Sequence, residues 1–189
     1  MVGRVGICAE RLANFTARHW LLAVNSAMFL FIFPVFLAPY LMAIGVERPA
    51  KLIYMLYRLT CHQLPERSFF VFGHKMALCA RCSSLYLSFW GVGLLYGLWR
   101  SIPLSQRYRL SPLSLKLLFL LALPMALDGA IQLLGLWEST NTLRAITGAL
   151  AGGGFGLFAY PLLDAGFRSA VSPTPRQDAV IARRAEKGP

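Results

Sequence analysis

From Trp20 to Gly45 the chain carries no charged side chain (WLLAVNSAMFLFIFPVFLAPYLMAIG). A bilayer-spanning helix needs about 20 such residues in a row, with about 17 as the short limit. Three further apolar blocks follow, at about 83–99 (SSLYLSFWGVGLLYGLW), 113–137 and 143–163. The second is marginal in length unless it extends back through Met76, Ala77 and Leu78. Hydrophobic residues make up 57% of the chain and charged ones 14%, against roughly 25% charged in soluble domains. Mean hydropathy is +0.55. These features predict an all-α integral membrane bundle of about four transmembrane helices, with spans near 19–45, 83–99, 113–137 and 143–163. The first block is expected to stay in place as a span, because more apolar chain follows Ala38-Pro39 where a cleaved leader would give way to a polar domain.

The formal charge of +11 raises the question of nucleic acid, but the basic residues form no single face or arm. They lie between the apolar blocks, as in loops that anchor spans at the cytoplasmic surface; the expected partner is the lipid bilayer, with no nucleic acid. The N-terminal arm (1–18, with Arg4, Arg11 and Arg18), the loop after the second block (Arg100, Arg107, Arg109) and the tail (Arg168, Arg176, Arg183, Arg184, Lys187) carry more Lys and Arg than the opposite side. That opposite side holds Arg48, Lys51, Arg58, Arg67, Lys75, Arg81 and Arg144. The positive-inside rule then places both termini in the cytoplasm of a multi-pass cell-membrane protein.

Within this frame, residues 1–18 read as a basic cytoplasmic arm containing Cys8, 19–167 as the transmembrane domain, and 168–189 as a disordered basic tail. Pro34 and Pro39 are expected to kink the first span. Ala50–Thr60 has apolar residues at helical spacing but is too short to cross, which predicts an interfacial or re-entrant helix. Gly148, Gly152 and Gly156 form a small-residue stripe on the fourth span; it can pack inside the bundle or serve as a homodimer seam.

Chemistry concentrates between residues 58 and 82. Cys61, His62, Gln63, Glu66 and Arg67 are followed by His74 and by Cys79-Ala80-Arg81-Cys82. Two cysteines separated by two residues can face one tetrahedral ion or bond to each other, and Cys61 with His62 or His74 would complete four ligands. Three readings stay open: zinc or another soft metal on Cys61, His62, His74, Cys79 and Cys82; a disulfide or redox thiol pair at Cys79 and Cys82; and small apolar cysteines without a joint role. Haem attachment is excluded, since Ser83, not His, follows Cys82.

Asp128 and Gln132 sit four apart within the third span, on one helix face. A carboxylate at a span centre costs about 2.5–3.5 kcal/mol on insertion scales. With the span ending near Trp137, Asp128 is expected roughly 13 Å below the surface, and Gly129 and Gly135 suggest close backbone approach beside it. The turn Glu138-Ser139-Thr140-Asn141 offers Ser139 or Asn141 as a helix cap, with Arg144 one turn on, able to pair with Glu138 or reach Asp128. Four spans bring the first loop and this turn to one membrane face. Candidate catalytic residues are therefore Asp128, Gln132 and Arg144, with Gln63, Glu66, Arg67, Arg81, Glu138 and Asn141 as further polar members of the site.

The segments CHQLPERSFFVFGHKMALCARCSSLYL (Cys61–Leu87) and PMALDGAIQLLGLWESTNTLRAITG (Pro124–Gly148), in this order, resemble a bacterial and archaeal family of small predicted membrane proteins, DUF2085. The resemblance covers about half the chain. The positions that match its pattern are Cys61, His62, Gln63, Glu66, Arg67, Ser68, Cys79, Arg81, Cys82, Asp128, Gly129, Gln132, Ser139, Asn141 and Arg144. Ser84 departs from it, standing where Gly is expected, which argues against tight backbone packing there. The resemblance implies a multi-pass α-helical protein and assigns no reaction. The expected function is a polar Cys/His site on one membrane face that binds a soft metal ion and, if catalytic, acts on a lipid or quinone-like ligand. The alternatives are a thiol–disulfide or electron-handling protein using Cys79 and Cys82, and a non-catalytic accessory subunit or small transporter.

Overall fold

A computed structural model describes residues 2–103, 105 and 108–171. The tail expected beyond residue 171 lies outside the described residues. Among the described residues five α-helices carry the fold: α1 (Val2–Ala43), α2 (Glu47–Tyr57), α3 (Ala80–Ser101), α4 (Leu115–Leu133) and α5 (Asn141–Val171). Between α2 and α3 stand a 3-10 turn at Pro65–Arg67 and a two-stranded hairpin of β1 (Phe70–Val71) and β2 (His74–Lys75), paired Phe70 to Lys75 and Val71 to His74.

The all-α membrane bundle expected from the sequence is what the chain forms. Among the described residues three helices are both long and apolar enough to cross a bilayer, at His19–Ala43, Leu115–Leu133 and Asn141–Ser169. The fourth expected span, α3, has 22 residues and so reaches about 33 Å at 1.5 Å per residue, but it is more polar. It begins at Ala80 and does not reach back through Met76–Leu78, which are buried in the preceding loop instead. Large apolar side chains such as Leu30, Leu95 and Phe119 stand exposed on the outer faces, where a water-soluble protein would not tolerate a continuous patch.

Two helix stops define the face that holds the polar residues. α1 ends with Gly45 at φ 78°, its N–H bonded to Met42 O at 3.1 Å and the Val46 N–H to Leu41 O at 2.8 Å. α4 ends the same way, with Gly135 at φ 68°, its N–H on Gln132 O at 3.1 Å and Leu136 N–H on Ile131 O at 3.2 Å. This paired-bond stop needs a left-handed residue, which glycine supplies without a Cβ clash. Gly135 therefore ends a helix and makes no close approach, and the third span stops at Leu133, short of Trp137. Asp128 is correspondingly shallow, about 8 Å from the helix end.

The prolines act through the carbonyls they release. Pro39 lacks the N–H that would bond Val35 O, and the loop N–H of Ala77 takes that oxygen at 3.5 Å. Pro161 in α5 likewise leaves Leu157 O to the N–H of Leu113, at 3.3 Å. In both cases a missing helical bond becomes an attachment point for a loop. The first fixes the cysteine-bearing segment on α1: Val35, Ala38, Tyr57, Cys61, Met76, Ala77 and Leu78 form one buried cluster. The Tyr57 hydroxyl donates to Phe31 O and the Tyr54 hydroxyl to Lys75 O, so α2 clamps the loop from the other side.

Among the described residues the α3–α5 seam is the closest. A Cβ added to Gly148 would fall 2.4 Å from Arg81 O, one added to Gly152 2.0 Å from Leu85 O, and one added to Gly156 2.8 Å from the Val92 Cβ. The stripe is thus occupied by α3 of the same chain, not left free as the homodimer seam held open above. Ser84 does sit at a tight crossing, contrary to the expectation for a non-glycine there, because Gly148 opposite supplies the room. At the far end of the bundle, Trp20, Tyr96 and Tyr160 form a second buried cluster. Asp164 there accepts from the Tyr96 hydroxyl at 3.1 Å and pairs with Arg100 at 3.3 Å and Arg168 at 2.8 Å. The sequence reading missed this carboxylate, which lies near the end of an apolar block beside an i,i+4 arginine.

Candidate metal centre

Cys61 arrives on the loop that leaves α2, while Cys79 occupies the N-cap position of α3 and Cys82 its first turn. Their three sulfurs lie within 4.8 Å of one another. Around a tetrahedral soft ion with metal–sulfur bonds of about 2.3 Å, sulfurs stand roughly 3.8 Å apart, so this spread needs little adjustment. All three are free thiols. Two local features aim Cys61 inward. The Cys79 N–H donates to its sulfur at 3.3 Å. Gln63 adopts φ 53°, a left-handed turn uncommon for a residue with a side chain, and its backbone N–H also serves the Cys61 sulfur. Gln63 is held there by Nε2 donating to Tyr54 O at 2.7 Å and by Lys75 Nζ donating to its carbonyl at 2.8 Å.

The Cys61 thiol is held far below its ordinary value, first by hydrogen bonds from the Cys79 and Cys82 thiols and then by these backbone N–H groups, against the opposing effect of burial. Cys79 is pushed up, chiefly by its bond to the Cys61 sulfur. The three thiols thus share hydrogen bonds that favour negative charge within the cluster. That is the arrangement expected of thiols close enough to share an ion.

His62 and His74 are not part of this group among the described residues. His62 is exposed and borders both the pocket beside the sulfurs and an open groove, which His74 lines with Met42, Lys51, Tyr54 and Arg58. The cause is the hairpin: pairing of Val71 with His74 carries His74 to the α2 side, away from the α3 N-terminus.

Beside the sulfurs lies a pocket of about 320 Å³, bounded by Thr60, His62, Gln63, Leu64, Arg67, Arg81, Gln132, Leu133 and Arg144 as well as the three cysteines. It joins all three sequence constellations. Arg81 Nη2 donates to Asp128 Oδ2, an ion pair linking the first turn of α3 to α4. The amide of Gln132 stands among three guanidinium groups. In one orientation its oxygen accepts from Arg81 at 3.3 Å; in the other it accepts from Arg144 Nη2 at 2.6 Å and Arg67 Nε at 3.1 Å, which satisfies more donors.

Arg144 pairs with neither Glu138 nor Asp128. Its Nη1 donates to Asn141 Oδ1 at 2.9 Å and to Glu66 O at 3.4 Å, while Arg81 has the nearer approach to Asp128. Glu66 contributes its carbonyl only, its side chain being exposed like that of Glu138. Asn141 Nδ2 donates to Ser68 O at 3.3 Å, tying the turn before α5 to the cysteine loop. The cap of α5 is Thr140, whose Oγ1 accepts the Leu143 N–H at 3.2 Å, not Ser139 or Asn141.

Comparison with known proteins agrees with this picture of a membrane protein. The family profile described as "Predicted membrane protein (DUF2085)" matches residues 61–158, which contain the three cysteines of the cluster and Arg67, Arg81 and Arg144 of the pocket. An uncharacterised protein of Methanocaldococcus jannaschii is 40% identical over 141 residues, covering 71% of this chain and 86% of that protein. An uncharacterised protein of Methanothermobacter thermautotrophicus is 37% identical over 101 residues, covering 53% of this chain and 85% of the relative. No solved structure matches.

Proposed function

The chain belongs to the DUF2085 family of predicted membrane proteins, and from that premise we propose that it holds one soft divalent metal ion, zinc by preference, on Cys61, Cys79 and Cys82 at one face of the membrane. The carrying observation is the convergence of three sulfurs, where a redox pair needs two. Backbone N–H groups directed at Cys61 support the same reading, because they stabilise thiolate in the absence of cationic ligands. Three protein ligands leave a tetrahedral ion one position open, as in catalytic sites, and the bound ion would supply Lewis acidity there. That position would face the arginine pocket. In this reading Asp128 orients Arg81 and does not act as a base.

With both termini in the cytoplasm of the cell membrane and α3 crossing as a fourth span, the metal face lies on the outer side. Metal analysis of detergent-purified protein tests the centre. One ion per chain is expected in the native protein and none after combined Cys79→Ser and Cys82→Ser substitution; native protein without stoichiometric metal removes the proposal. A second reading has its own support. Cys79 and Cys82 bracket the first turn of α3, the placement that activates a dithiol pair. A reversible Cys79–Cys82 disulfide found in metal-free native protein would favour it.

A further inference from the structure

Arg144 is 4% exposed, yet among the described residues no carboxylate lies within 4.0 Å of it or of Arg67. Its protein partners are all neutral: the Asn141 amide oxygen, the Glu66 carbonyl and the Gln132 amide. Its Nε is buried with no partner at all. A buried guanidinium without a counter-charge is costly, and neutral acceptors recover only part of that cost. The pocket as a whole repeats the imbalance. Arg67, Arg81 and Arg144 bring three positive charges, and Asp128 returns one. Positive charge is left in excess in a cavity of about 320 Å³.

We propose that this pocket is a binding site for an oxyanion group, a carboxylate or phosphate, gripped by Arg67 and Arg144 beside the cysteine cluster. Arg144, anchored through Asn141 and Glu66, presents a fixed fork, and planar forks suit the two oxygens of such a group. Arg67 is half-buried at the rim and meets the ligand as it enters. Gln132 bridges the two guanidinium groups, its oxygen accepting from Arg144 Nη2 at 2.6 Å and Arg67 Nε at 3.1 Å. The mouth opens beside Leu133, which is 88% exposed at the end of α4, so both a dissolved anion and the head group of an anionic lipid can reach it. The site does not require the metal, since its cationic partners are all arginines.

Two arms of one experiment distinguish the sources. Inorganic phosphate and acetate are titrated by calorimetry into the full-length protein in uncharged detergent, at fixed ionic strength. The protein is then reconstituted in phosphatidylcholine vesicles with and without phosphatidic acid, and its thermal unfolding compared. Saturable binding of one anion per chain in detergent marks a free ligand; stabilisation confined to phosphatidic acid marks a head group. Either supports the site if Arg67→Gln weakens the effect by about tenfold or more, the worth of one charge-assisted bond, while Lys51→Gln on exposed α2 leaves it intact. Arg144→Lys keeps the charge, loses the fork and should weaken binding as well. Absence of binding in both arms overturns the proposal, as does equal loss in the Lys51 and Arg67 variants. Running the native titration after metal removal keeps this outcome separate from that of the metal centre.

Discussion

Arg81 and Asp128 share an ion pair across α3 and α4, with the arginine side chain 21% exposed and the carboxylate 9%. The arginine lies between Cys79 and Cys82 in sequence, so one side chain links the helix that starts the cysteine cluster to the acid on the neighbouring span. A charge in this position is tolerable because it is paired, and the pairing also fixes the first turn of α3, from which both cysteines project.

Arg81→Leu should therefore destabilise the protein by about 2 kcal/mol or more, because it leaves Asp128 without its partner in a poorly hydrated place. Asp128→Leu should behave similarly, through the stranded arginine. The double Leu variant should recover part of the loss, since no charge is then orphaned. Thermal unfolding in detergent measures all three. Strictly additive losses would mean that the two residues do not depend on each other.

The three sulfurs predict a clean split among metal-site variants. Cys61→Ser should empty the site as completely as Cys79→Ser, although it lies 18 residues away in sequence. His62→Ala and His74→Ala should retain their metal. Elemental analysis of the four purified variants decides the matter, and metal lost from His74→Ala would make that histidine the fourth ligand.

Much of this was readable from the sequence and some was not, for reasons that residues make clear. Apolar length alone located α1, α4 and α5, because hydropathy over about 20 residues is a strong signal. The convergence of the cysteine loop with Asp128 and Arg144 followed from antiparallel topology. Pairing did not follow. Arg81 and Arg144 are both basic residues near one acid, and only the rotation of α3 relative to α4 selects Arg81. The exclusion of His74 depends on a two-residue hairpin turn at Phe72 and Gly73, both at positive φ, and a Phe there gives none of the usual Asn-Gly signal. Asp164 gives no signal of its own, because it directly follows the apolar run 143–163 and reads as the start of the polar tail, whereas the helix runs on to Val171.

The glycine stripe makes a graded prediction. Gly152→Ala places a methyl 2.0 Å from a backbone carbonyl of α3 that cannot swing aside, so α3 and α5 must separate and stability should fall by about 1–3 kcal/mol or more. Gly153→Ala, with nothing within 4 Å, should be neutral or slightly stabilising by helix propensity. Unfolding temperatures of the pair provide the comparison; equal behaviour would remove the close α3–α5 seam.

Whether α3 crosses the membrane decides which compartment each polar cluster meets, and α3 is the helix whose composition leaves this open. Its ends are well separated in kind: the cysteine cluster and arginine pocket at Ala80, and the Asp164, Arg100 and Arg168 group at Ser101. Leu59, 87% exposed on the cysteine face, and Ser101, exposed at the other end, give two reporter positions that disturb neither cluster. In intact cells, Leu59→Cys should gain labelling by a membrane-impermeant maleimide relative to the parent chain, while Ser101→Cys should gain it only after the cells are opened. A spanning α3 requires that contrast. If both positions are labelled from one side, α3 lies within one interface, the bundle has an odd number of crossings, and the two termini lie on opposite sides of the bilayer.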